Sequence, residues 1–151
     1  MEFTIKNAEA KAGRSCSKLV MISSMAGALI SFAASGSNMA AFNMLSEPAS
    51  YGLGKILAGA IVTVGLMLTI LGGCELFTGN TMMLAAVAEK KVTLGRMLRN
   101  WGIVYLGNLI GALLIVYMIY ASGLWSSGAD MLGATTLKIA VSKVNFSFLQ
   151  A

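Results

Sequence analysis

Gly72-Gly73-Cys74-Glu75-Leu76-Phe77-Thr78-Gly79-Asn80-Thr81 interrupts an otherwise apolar part of the chain. Before it, Tyr51 to Leu71 is long and apolar; after it, Met82 to Ala88 is apolar but short. Paired glycines weaken a helix because they adopt backbone angles other residues resist. Glu75 is ionisable, and such residues within membrane-depth sequence are costly and face a partner or a cavity. A bilayer span needs roughly 20 apolar residues, so the short run does not cross alone. The simplest reading is one discontinuous span: a long half-helix, a loop at membrane depth and a short half-helix. Irregular backbone at that depth is tolerated only where protein buries it or a cavity hydrates it. The break therefore predicts a pore or a binding site.

The rest of the chain fits this setting. It has 151 residues, 57% hydrophobic and 11% charged, whereas soluble domains carry about 25% charged residues. No charge occurs from Leu19 to Ser46, from Ile56 to Cys74, or from Asn100 to Ala129. These runs do not alternate as barrel strands do. In hydrocarbon they must satisfy their own backbone, which makes them helices. The fold class is thus an all-α membrane protein with three transmembrane segments, the second broken by a membrane-depth loop.

The net charge of +5 does not imply a nucleic-acid partner. The basic residues stand at the ends of apolar runs, where they act as topology signals. Lys6, Lys11, Arg14 and Lys18 precede the first span, and Lys90, Lys91, Arg96 and Arg99 separate the second from the third. Both clusters are expected on the cytoplasmic side of the cell's inner or plasma membrane, which puts the N-terminus inside and the final tail outside. A signal peptide is the competing reading of Lys18 to Ser35, but two later apolar segments keep the chain in the membrane either way. Cys16 and Cys74 do not suggest a disulfide. With no histidine and no CxxC pair, neither a metal nor a cofactor is expected. No nucleophile–base pair or phosphate loop points to an enzyme.

Three regions follow: a cytoplasmic arm over residues 1–17, a transmembrane half-repeat over 18–125, and an outside amphipathic tail over 126–151. The first span, from about Lys18 to Leu45, is rich in small residues that allow close helix approach. Its second half carries Ser35, Ser37, Asn38 and Asn43, so that face meets protein or water. Pro48 marks a turn before the second span. The third span runs from about Trp101 to Tyr120, and its Gly107/Gly111 pair, flanked by Asn108, reads as a close helix contact. The tail, from Leu132 to Phe148 with Lys138 and Lys143, reads as an amphipathic stretch ending where a fourth span begins.

Within the break, Glu75 either accepts loop N–H groups and holds the loop in shape or meets substrate directly. The first is favoured, because a fixed negative charge repels anions. Thr78, Asn80 and Thr81 either donate to an anion or cap the second half-helix, whose N-terminus carries positive partial charge. Taken alone, Val62, Leu66, Leu76 and Phe77 fit ordinary helix packing, and Lys143 an interface lysine.

Gly73-Cys74-Glu75-Leu76-Phe77-Thr78-Gly79-Asn80-Thr81-Met82 resembles the break motif of the formate/nitrite transporter family. Pro48 to Lys55, Gly65-Leu66, Asn100-Trp101, Tyr105 to Ala112 and Lys138 to Ala151 resemble its flanking segments, so the likeness covers nearly the whole chain. The resemblance implies a homopentamer in which each protomer holds a pore between two inverted three-span halves. It implies a channel or transporter for small monovalent anions: formate, nitrite or hydrosulfide. By position it makes Val62, Leu66, Leu76 and Phe77 constriction residues, Thr78 with Asn80 and Thr81 the pore loop, and Lys143 and Lys11 vestibule cations. An apolar constriction opposes a bare ion, because dehydration is costly, and admits a protonated neutral acid more readily. The family's second broken helix and pore histidine have no counterpart here, so the chain is expected to be the N-terminal half of a longer channel. A non-transporting membrane assembly subunit is the alternative.

Overall fold

The computed structural model describes residues 2–147, all helical or irregular, with no strand among them. The end of the expected tail, Phe148 to Ala151, lies outside the described residues. The helices are α1 (Glu2–Ala12), α2 (Cys16–Ser46), α3 (Tyr51–Leu71), α4 (Phe77–Asn80), α5 (Met83–Ala88), α6 (Leu94–Ala121) and α7 (Met131–Val144), with one 3-10 turn at Leu124–Ser126. Helices α2, α3 and α6 are long and apolar enough to cross a membrane. At 1.5 Å per residue they measure roughly 46, 32 and 42 Å, against a hydrocarbon core of about 30 Å.

The chain forms two compact units, one of residues 1–31 and 66–115, the other of residues 32–65 and 116–151. In the first, α2 and α6 meet through small residues. A Cβ on Gly27 would collide with the Asn108 backbone, one on Gly107 with the Ser23 side chain, and one on Gly111 with the Ser24 carbonyl. The GxxxG pair is therefore a helix contact, and Leu19, Ala26 and Val104 are buried along it. The N-terminal arm is helical and docked. Ala8 and Ala12 of α1 pack with Met83 and Ala86 of α5, Val92, and Met97 of α6. This burial of Met97 explains why α6 begins at Leu94, seven residues before the apolar run predicts. Arg99 and Asn100 tie the arm further: Arg99 Nη2 donates to the carbonyls of Ala12 (3.3 Å) and Arg14 (3.1 Å), and Asn100 Nδ2 to that of Lys11 (3.3 Å).

In the second unit, Ser37 and Asn38 of the polar half of α2 meet protein, while Asn43 is exposed. Ser37 Oγ donates to the Ala58 carbonyl of α3 at 3.0 Å, and Asn38 Nδ2 to Thr136 Oγ1 of α7 at 3.1 Å. Phe42, Ile119 and Leu132 are buried there.

Candidate functional site

Helix α3 stops at the glycine pair for a geometric reason. Gly73 has φ +61°, in the left-handed region. Its N–H donates to the Ile70 carbonyl (3.1 Å) and the Cys74 N–H to the Thr69 carbonyl (3.0 Å). This six-to-one and five-to-two pair is the Schellman motif, which satisfies the last carbonyls and turns the chain out of the helix. Leu76 is extended, with φ −98° and ψ 138°, and α4 then starts at Phe77. The chain after the break is two short helices, α4 and α5, joined by Thr81 and Met82.

The sequence leaves open whether Thr78, Asn80 or Thr81 caps the resumed helix. The cap comes instead from α6: the Phe77 N–H donates to Asn108 Oδ1 at 3.0 Å. Asn108 Nδ2 donates to the carbonyls of Ser23 and Glu75, each at 2.9 Å. Thr81 Oγ1 donates to the Thr78 carbonyl at 2.7 Å. Asn80 is fully buried. Its Nδ2 donates to Asn100 Oδ1 at 2.9 Å, its Oδ1 accepts from Lys11 Nζ at 2.7 Å, and its carbonyl accepts from Trp101 Nε1 at 2.8 Å. Asn80 is thus an internal strut. The Phe77 ring stands edge-on to Trp101 and Tyr105, with centroids 5.7 and 5.6 Å away, a favourable aromatic arrangement.

The Glu75 carboxylate accepts no loop N–H. It is 2% exposed and faces the arm, with Arg14 Nη1 hydrogen-bonded to Oε1 and Lys11 Nζ 3.1 Å from Oε2. The Lys11 contact is one of charge; Oε2 itself has no hydrogen-bond donor. Two cations against one carboxylate leave the neighbourhood net positive, which removes the repulsion that a lone carboxylate would exert on an anion. Lys11 is therefore both an ion-pair partner of the break and a cation beside the cleft there.

That cleft has a volume of about 410 Å³. Lys11, Arg14, Leu66, Glu75, Leu76 and Thr78 are among its lining residues. Phe77 and Asn80 are not; they face α6. Val62 and Lys143 belong to the second unit, both exposed, with Lys143 Nζ 5.5 Å from the Phe146 ring centroid. Reasoning from sequence missed Arg14, Asn100 and the bridging role of Asn108. For the two asparagines the available signal was a carboxamide within the charge-free run from Asn100 to Ala129, where an unpaired amide is costly; Arg14 carried no such signal.

Comparison with known proteins places this arrangement. The sequence profile of the formate/nitrite transporters matches residues 1–151. The chain is 35% identical to the formate channel FocA of Escherichia coli (strain K12) over 101 residues, 67% of this chain and 35% of that protein. It is 32% identical to a probable formate transporter of Methanothermobacter thermautotrophicus over 146 residues, 95% of this chain and 53% of that protein. A solved structure described as a pentameric formate channel with formate bound superposes with a TM-score of 0.70 at 27% identity, covering 89% of this chain and 52% of that one. The chain thus spans between about a third and about half the length of the proteins it matches. With its apolar helices and its broken span, this membrane protein belongs to the formate/nitrite transporter family.

Proposed function

We propose that the broken span forms one wall of a path for a small monovalent anion, formate foremost, with nitrite and hydrosulfide as candidates of the same size and charge. The observation that carries this reading is the cleft beside the break, where Leu66, Leu76 and Thr78 share one surface with Lys11 and Arg14. The cations raise the local anion concentration by focusing the field. Leu66 and Leu76, with Phe77 behind and Val62 further along α3, supply the apolar constriction, which disfavours a bare ion and favours its protonated form. Thr78 offers a hydroxyl at the narrow point, and Lys143 serves the outer vestibule. The relative described as pentameric supports a homopentamer as the working assembly.

Formate uptake into proteoliposomes tests the reading. Leu76→Ala combined with Thr78→Ala should change formate flux by about tenfold or more, the order expected when one or two kcal/mol of barrier are altered. Unaltered flux in the folded double variant would refute the assigned constriction. Nitrite and hydrosulfide, added as competitors, rank the anions.

A further inference from the structure

We propose that Asn108 is the positioning residue of the broken span: its single carboxamide aims Leu76 at the cleft by pinning the peptide groups on both sides of it. This rests on the reading of the break as a path wall. The Glu75–Leu76 peptide is held through its carbonyl, which accepts from Asn108 Nδ2 at 2.9 Å. The Leu76–Phe77 peptide is held through its N–H, which donates to Asn108 Oδ1 at 3.0 Å. With both planes fixed, Leu76 keeps its extended conformation and stands among the residues lining the cleft. The second Nδ2 hydrogen reaches the Ser23 carbonyl of α2 at 2.9 Å, so the same side chain references the loop to two long helices.

The residue type follows from the task. Two donors and an acceptor on one short planar group are what an asparagine supplies. Aspartate has no donor for the carbonyls, serine has one, and glutamine is a methylene too long for the same fit. The approach is close because Gly27 and Gly107 leave no side chain between α2 and α6 at this level. Helix α6 does not need the carboxamide for its own hydrogen bonds, so removing it should spare the helix and release the loop.

The experiment uses the protein in proteoliposomes with Asn108→Asp, which keeps the shape and the acceptor but loses both donors, and Asn108→Ala. Two quantities are read. One is the ratio of formate to acetate flux. The other is the rate at which a small methanethiosulfonate reagent labels Leu76→Cys in a Cys16→Ser, Cys74→Ser background, with and without the Asn108 change. Both should shift by about tenfold in assembled protein, as the loss of buried hydrogen bonds to the backbone predicts. A shifted labelling rate in a protein that passes no formate supports the positioning role and refutes the transport reading. An unchanged ratio and labelling rate in folded variants would overturn the proposal. So would loss of the folded assembly in both variants, which would make Asn108 a packing residue only.

Discussion

Glu75 is 2% exposed, while its partners Lys11 and Arg14 keep 19% and 28% of their side-chain surface. A buried carboxylate between two partly exposed cations is held by charge and by geometry, and neutralising it should loosen the arm before the helices. Glu75→Gln is expected to cost about 1–3 kcal/mol, toward the lower end because the stranded cations still reach solvent. Unfolding in mixed detergent micelles measures the loss. Hydrogen exchange should locate it in the amides of α1, with those of α2 and α6 unmoved. Reading the sequence finds Glu75, because a lone charge in an apolar run stands out, but it does not find its partners. Lys11 and Arg14 lie more than sixty positions away, and nothing local distinguishes them from Lys6 or Lys18. Asn80 is similar: a polar side chain in a break looks path-facing until Asn100 and Lys11 are seen to consume it.

Among the elements, the helix ends give a paired prediction of opposite sign. Helix α5 closes with the same hydrogen-bond pattern as α3: the Lys90 N–H donates to Val87 and the Lys91 N–H to Ala86, each at 2.9 Å. Here the left-handed position is held by Lys90, at φ 58°, where α3 uses Gly73. A Cβ in that conformation costs roughly 1–2 kcal/mol. Gly73→Ala should therefore destabilise by about that amount and Lys90→Gly should stabilise by about 1 kcal/mol, both read as shifts of the unfolding midpoint. The contact of α2 with α6 predicts a larger effect. Gly111→Leu places a side chain against the Ser24 backbone and should cost about 3 kcal/mol or separate the helices altogether. The long helices and the break are legible in the sequence because hydropathy and glycine placement are local signals: α3 spans Tyr51–Leu71, where the apolar run lies. The early start of α6 and the docking of α1 are not, since both depend on one small core assembled from Ala8, Ala12, Met83, Ala86, Val92 and Met97.

For the whole molecule, contacts add to the charge pattern a reason for the two basic clusters to lie on one side of the membrane. The arm carries Lys6, Lys11 and Arg14, and the segment before the apolar part of α6 carries Lys90, Lys91, Arg96 and Arg99. Arg99 donates to the Ala12 and Arg14 carbonyls, so the two basic clusters are bound into one unit and must share a side. We propose that this side is cytoplasmic, because basic residues beside spans are retained there. Cys16, exposed at the start of α2, reports on it. Helix α2 is continuous for 31 residues, roughly 46 Å, against a hydrocarbon core of about 30 Å. In a Cys74→Ser background, a membrane-impermeant maleimide should label Cys16 in inside-out vesicles and not in sealed right-side-out ones. With Cys16 also replaced, Ser50→Cys should show the reverse pattern. Labelling of Cys16 from outside would place both basic clusters against the retention rule and would turn Lys11, Arg14 and the cleft at Glu75 toward the external solution.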